Sequence, residues 1–254
     1  MSDGLSDHAA RNRAIWDRAA DDYQRLHRDH IGRPEPRWGM WQLPEDELQI
    51  LGDVAGKDVL ELGCGAAQWS ILLAGRGARV VALDNSARQL EHARTALAAA
   101  GLDFPLVHAS AESVPLPDES FDVVFADHGA NRFSDPYIWV PEAARLLRTG
   151  GLLAFSGGTA LEVLCWSPAE DRLTATLQRD YFGLRRSEEE EDGTVVFELP
   201  YGEWIRLFRS AGLVVEELRE IQPPEGSVST YRTEEETAWA RRWPMEQIWR
   251  ARKA

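Results

Sequence analysis

Two cysteines, Cys64 and Cys165, are all that 254 residues contain, too few for a disulfide framework and without metal-ligand spacing. A reducing, cytoplasmic setting is expected. No apolar run approaches the roughly 18 residues that a membrane-spanning helix needs. The first residues, MSDGLSDHAARNRAIWD, are polar and acid-containing, unlike a signal or transit peptide. Positive charge is scarce too: 28 Lys and Arg against 42 Asp and Glu leave a formal net charge of −14. Nucleic-acid affinity rests on clustered cations facing phosphates, and only the C-terminal ARRWPMEQIWRARKA gathers a few. Neither nucleic acid nor membrane is therefore expected as a partner. Internal repeats and long low-complexity segments are absent, and the acid run SEEEEDG (187–193) reads as a solvated loop. The segment DDYQRLHRDH brings Asp and His together, but an exposed helix face accounts for it, and no metal site is expected.

What is present is an ordinary globular composition, 44% hydrophobic and 28% charged, in a chain long enough for one sizeable core. The first fifty residues read as helices around a proline-rich break, RPEPRWGMWQLPE. Short apolar strands then alternate with Ala-rich helices. The strands are KDVLELG (57–63), ARVVALD (78–84), FPLVHAS (104–110), SFDVVFAD (120–127) and GGLLAFSG (150–157), with helices near 67–76, 86–100 and 136–148. Continuous rather than alternating apolar strands, separated by helices, predict a parallel sheet covered on both faces. Residues 158–200 break this rhythm and end in a predicted strand, TVVFELP. A helix (YGEWIRLFRSAG), a strand (LVVEELREI), a helix around TEEETAWARRW and a closing strand (MEQIWRARK) complete the chain.

Ligands bind such sheets at the carboxyl ends of the strands. There the sequence reads VLELGCGAAQWS (59–70): Gly63 and Gly65 let the backbone turn and approach a ligand, and the next helix begins with unpaired N–H groups. Asp84 ends the second strand, where a carboxylate accepts both hydroxyls of a ribose. A nucleoside-containing cofactor follows. The dinucleotide fingerprint G-x-G-x-x-G is incomplete, because Gln68 stands at its third glycine. Glu61 beside the loop suits an amino group and repels a pyrophosphate. A loop facing an amino acid on one side and a ribose on the other describes S-adenosylmethionine.

In order and at the usual spacing, VLELGCGAA, VVALDNS, AESVPLPDESFDVVFAD and EAARLLRTGGLLAFS resemble the motifs of class I S-adenosylmethionine-dependent methyltransferases, in the branch that acts on small molecules. The resemblance covers about residues 56–157 and continues weakly to the C-terminus. It implies a Rossmann-like α/β fold: a seven-stranded, mostly parallel sheet with helices on both faces and a last antiparallel strand, which MEQIWRARK is placed to form. An N-terminal helical cap (1–55), a cofactor-binding core (56–157), an insertion after the fifth strand (158–200) and the completion of the sheet (201–254) make one domain. By the same resemblance Glu61, Gly63, Cys64 and Gly65 surround the methionine part of the cofactor. Asp84 holds the ribose, and Asn85 lies beside the adenine. Ser110 stands where the family has an Asp toward the adenine, followed by Ala111 and Glu112, and Ala67 replaces the third family glycine. The helix carrying WDRAADDY brings Tyr23 over the cofactor, while Gln89 reads as a solvated helix position.

Methyl transfer needs proximity and alignment, and a hydroxyl or amine acceptor can also need a base. His128, in FADHGANRF after the fourth strand, is the best-placed base, with Asp127 able to orient it or touch the cofactor. His27 and His30 on the cap are alternatives, whereas His8, His92 and His108 read as surface or sheet positions. Cys64 reads as a small loop residue rather than a nucleophile. Trp38, Trp41, Trp166, Tyr181 and Phe182 lie in the segments that flank the acceptor, so a small, partly apolar substrate is expected, methylated on oxygen, with nitrogen and carbon open. Two other classes remain: a protein that binds S-adenosylmethionine without transfer, and a nicotinamide oxidoreductase. The latter lacks its third loop glycine and any YxxxK.

Overall fold

A computed structural model describes residues 4–189 and 192–254. The N-terminal part holds α1 (Asp7–Leu26), α2 (Arg28–Ile31), the paired β1 (Arg37–Trp38) and β2 (Leu43–Pro44), and α3 (Glu45–Leu48). Then follow β3 (Asp58–Leu62), α4 (Gln68–Gly75), β4 (Arg79–Asp84), α5 (Ala87–Ala100), β5 (Leu106–His108), β6 (Phe121–Asp127), α6 (Ala130–Phe133), α7 (Pro136–Leu146) and β7 (Leu147–Gly158). The insertion carries α8 (Ala160–Cys165), β8 (Trp166–Ser167), β9 (Arg172–Leu173), β10 (Arg186–Glu188) and β11 (Val195–Phe197). It leads to α9 (Tyr201–Ser210), β12 (Leu213–Ile221), α10 (Glu234–Ala240) and β13 (Glu246–Lys253).

Local chemistry sets the helix ends. Ser86 caps α5 by accepting the Gln89 amide, and Gly101 ends it in the left-handed conformation. Asp135 caps α7 ahead of Pro136, whose missing N–H costs nothing at that position. The predicted TVVFELP strand forms, but outside the main sheet, paired with β10 in a two-stranded ribbon.

The main sheet has seven strands in the order β12-β13-β7-β6-β3-β4-β5. Neighbours from β7 to β5 are parallel, and β13 runs antiparallel to both β7 and β12. Two large apolar clusters cover its faces, beside a smaller one around Ala82, Leu90 and Leu97. One of the large clusters centres on Trp139, Phe155, Trp204 and Trp249, the other on Trp38, Trp69, Phe125 and Ile248. From β3 the chain proceeds first toward β4 and β5, then returns to β6 on the other side, so the switch in strand order lies between β3 and β6. The loops leaving these two strands pack directly together: a Cβ on Gly63 would collide with the Ala130 backbone nitrogen.

Candidate active site

At that switch point a cavity of about 680 Å³ opens over the carboxyl ends of β3, β4 and β6. Its walls include Tyr23, Glu61, Gly63, Cys64, Gly65, Asp84, Asn85, Ala111, Asp127 and His128, ten of the residues singled out from the sequence. Asp84 accepts the Gly65 amide at 2.8 Å on one oxygen and the Ser86 amide at 2.7 Å on the other. Burial nevertheless pushes its carboxyl up to about 6, against those two amides. Glu61 accepts the hydroxyl of Ser70 at 2.5 Å and its amide at 3.1 Å, and burial pushes it up to about 8. The Cys64 thiol is buried and driven well above its ordinary value by burial first, then by Asp84 and Glu61, which leaves it protonated and a poor nucleophile. Ala67, in place of the third family glycine, sits at φ 60° and takes the left-handed conformation that glycine favours.

Helix α1 lies across the glycine loop. Gln68 donates to Gln24 and Gln24 donates to Gln89, both at 2.9 Å, so a chain of amides spans the cavity rim. Gln89 is therefore no solvated helix position; it is 3% exposed. The Tyr23 hydroxyl shares a hydrogen bond of 2.9 Å with Tyr231, whose ring stacks on His27 at 4.0 Å. Trp16 meets Tyr23 and Phe133 edge-on, each at 5.2 Å, on the same wall.

Other expected site residues lie elsewhere. Ser110 is buried behind the wall and accepts the Glu112 amide. Glu112 ties the start of α1, through Ser6 and His8, to the start of α7, through the Asp135 amide. Asn85, although on the wall, bonds to Arg13 and to the Ala9 carbonyl. None of the five aromatic residues assigned to the acceptor pocket lines the cavity. Trp38 and Trp41 are buried in the core, and the Trp38 indole donates to Glu45. Trp166 packs against the same core, Tyr181 against Phe182, and Phe182 is 90% exposed. For the three tryptophans the reason is that apolar area can be buried against the core as well as against a ligand, and proximity in sequence does not separate the two. The acid run is likewise more than a solvated loop. Its Glu190 and Glu191 lie outside the described residues, but Glu188 pairs with Arg11 and Arg186, Glu189 pairs with Arg132, and Glu189 and Asp192 line the cavity.

Asp127 does not orient His128. Its oxygens accept the Gly39 amide, the Ser156 hydroxyl and the Trp69 indole. His128 is bound instead through Nε2 to Glu246 at 2.5 Å. Burial works against a charged imidazole here, but Glu246 and Asp127 outweigh it and raise its pKa. Of the alternatives, His30 is buried beside the Gly39 carbonyl and burial drives it down to about 4. His27 bonds to Thr230. Among the described residues no group of His, Cys, Asp and Glu is arranged to hold a metal ion, and no helix is long and apolar enough to cross a membrane.

Residues 60–155 match the family described as "Methyltransferase domain". A demethylmenaquinone methyltransferase of Listeria monocytogenes serotype 4a is 33% identical over 114 residues, 43% of this chain and 48% of that one. The chain thus spans about half the length of the curated relatives it matches. Among solved structures, an S-adenosylmethionine-dependent methyltransferase from Mesorhizobium loti superposes with a TM-score of 0.65 at 23% identity, over 81% of this chain and 94% of that one. The Burkholderia thailandensis 1,6-didemethyltoxoflavin-N1-methyltransferase, with 1,6-didemethyltoxoflavin and S-adenosylhomocysteine bound, gives 0.61 at 14% over 100% and 93%. At such identities the likeness establishes the fold. Residues 60–155 thus match a methyltransferase domain, set in a fold shared with solved S-adenosylmethionine-dependent methyltransferases.

Proposed function

We propose that the protein transfers a methyl group from S-adenosylmethionine to a hydroxyl oxygen of a small, partly apolar metabolite. The observation that carries this reading is a single cavity joining the glycine loop and Asp84 to the His128 imidazole. The wall chemistry fits the cofactor. Beyond the two amides it accepts, Asp84 keeps lone pairs for the two ribose hydroxyls. At Gly65 the loop surface is open, for a Cβ there would meet nothing nearer than Gln24 and Gln89 at 3.8 Å. Glu61, Asp84 and Asp127 line this half of the wall with carboxyl groups, which suits a sulfonium or ammonium and repels a pyrophosphate. An ammonium arriving beside Glu61 lowers its pKa from about 8 and restores its charge.

The bound cofactor supplies a methyl carbon already activated by its positive sulfur. The chain's own work is to align the acceptor with that carbon and to take up one proton. His128 accepts the proton of the attacking hydroxyl at Nδ1, the ring nitrogen that Glu246 leaves free. Trp16, Tyr23, Phe133 and Tyr231 wall the acceptor side, in keeping with an apolar body and a few polar anchors. The Burkholderia neighbour, with 1,6-didemethyltoxoflavin and S-adenosylhomocysteine bound, is in keeping with a small-molecule acceptor. In this reading residues 1–55 form the lid, 158–200 part of the acceptor side, and 201–254 complete the sheet behind them.

The test is turnover of methyl-labelled S-adenosylmethionine with a panel of hydroxylated, amino and carbon-nucleophile metabolites, the methylated atom being read by NMR. Cofactor binding without methylation of any acceptor refutes transfer. Methylation at nitrogen or carbon refutes the choice of oxygen, and better turnover of tRNA than of any metabolite refutes the size argument.

A further inference from the structure

We propose that Glu246, the first residue of β13, is the positioning residue for His128. This rests on the reading of His128 as the base, and on geometry of its own. Glu246 is 1% exposed, so its carboxylate has little access to water. One oxygen, Oε1, accepts from His128 Nε2 at 2.5 Å and from the Met40 amide at 2.9 Å. The other, Oε2, is buried and has no partner among the described residues. A carboxylate only accepts, so the imidazole proton resides on Nε2 and the lone pair on Nδ1.

The surroundings hold this arrangement in place. His128 adopts φ 47°, a left-handed conformation that a bulky residue rarely takes, and its own amide donates to the Ser156 carbonyl at 3.2 Å. Such strain persists where neighbouring contacts over-determine it. On the cap side, Gly39 leaves the space that the carboxylate fills, since a Cβ there would overlap Oε1. The same oxygen therefore ties the base to the cap: Met40 N–H and His128 reach Glu246 together only when the segment between β1 and β2 is docked.

During transfer the acceptor's O–H bond breaks and its proton goes to Nδ1. The oxygen's electron pair forms the new O–CH₃ bond, and the S–CH₃ pair returns to sulfur. The resulting imidazolium faces Glu246 on β13 and Asp127 on β6, both favourable, and Arg132 on α6, unfavourable. His30 of the cap faces Glu246 and is held neutral. Glu246 is thus the group that selects the tautomer and stabilises the charge that develops.

The experiment follows the His128 Cε1–H resonance against pH in the ligand-free protein, wild type and Glu246→Gln, beside pH–rate profiles of both. The wild-type midpoint is expected above the ordinary histidine value of about 6.5. In the variant it should fall by about one pH unit or more, the rising limb of the rate profile moving with it and the plateau dropping about 10- to 100-fold. Glu246→Asp, which keeps the charge on a shorter arm, should restore the midpoint more than the rate. A variant that loses rate with the midpoint unmoved makes Glu246 a mere strap for the cap and overturns the proposal. Should Glu246→Gln fail to fold, a wild-type midpoint below 6.5 overturns it equally. A shifted midpoint together with an active His128→Ala enzyme leaves the pair standing and removes the base reading instead.

Discussion

Asp84 should make the protein less stable and more able to bind. Its carboxyl is pushed from the ordinary 3.8 up to about 6, chiefly by burial, with Asp17 adding to the shift and the Gly65, Ser86 and Asn85 amides opposing it. For an acid with a raised folded pKa, ionisation works against folding. That cost is absent below 3.8, grows between 3.8 and about 6, and is complete above. Two pKa units correspond to at most about 3 kcal/mol. Asp84 is only half-buried on the cavity wall, so the realised cost is smaller. Asp84→Asn removes the cost but turns an N–H toward one of the two donating amides, which takes back about 1–3 kcal/mol. The variant should therefore match the wild type at neutral pH within about 1–2 kcal/mol while losing the dependence on pH between 4 and 6. Binding should respond the other way. A protonated Asp84 cannot accept from both ribose hydroxyls, so S-adenosylhomocysteine affinity should fall as pH drops below about 6. Asp84→Ala should cost about 1–3 kcal/mol of affinity at pH 7.5, the scale of a charged hydrogen bond. Calorimetry at pH 5 and 7.5 on the three proteins decides it. Affinity independent of pH in the wild type, or unchanged in Asp84→Ala, refutes the ribose assignment.

Three further outcomes are expected. His128→Ala should lower kcat by about 10²–10⁴-fold with cofactor affinity nearly intact; a loss below tenfold reduces the imidazole to a wall of the pocket. Hydrogen exchange in the cap should slow when S-adenosylhomocysteine binds, because α1 closes over the glycine loop through Gln24; equal rates with and without ligand argue against a lid. Glu45, buried beneath the cap, accepts the Trp38 indole and the amides of Ile50, Leu51 and Gly52. Glu45→Ala strands four donors and should destabilise by more than about 3 kcal/mol in urea titration, a loss below about 1 kcal/mol being too small for that role.

The sheet was legible because its determinants are local. Helix α5 starts and stops where Ser86 and Gly101 say it should, within a residue of the span expected. The strands β3, β4 and β6 are continuous apolar runs ended by a glycine or an acid, and their register follows from burial on both faces. The glycine loop and Asp84 were legible for the same reason, since one strand end and one turn carry them. The insertion was not. Its strands β8, β9, β10 and β11 are two or three residues long, too short for any period, and exist through their tertiary partners.

The cavity wall around His128 and Tyr231 was illegible for a deeper reason. Each of its defining contacts joins segments that no spacing connects: Glu246 meets His128 across 118 residues, and Tyr231 meets Tyr23 across 208. Sequence reasoning left Asp127 two tasks, orienting His128 or touching the cofactor. Yet the Asp127 oxygens accept from the Trp69 indole, the Ser156 hydroxyl and the Gly39 amide, and none reaches the imidazole. The partner that does reach the imidazole comes from the strand inserted between β7 and β12. Placing β13 there brings its first residue beside Gly158 at the carboxyl end of β7, the end at which the parallel strands present their ligands. The last strand of the sheet therefore both closes the fold and delivers a carboxylate to the site, a link that only the antiparallel register of β13 against β7 makes visible.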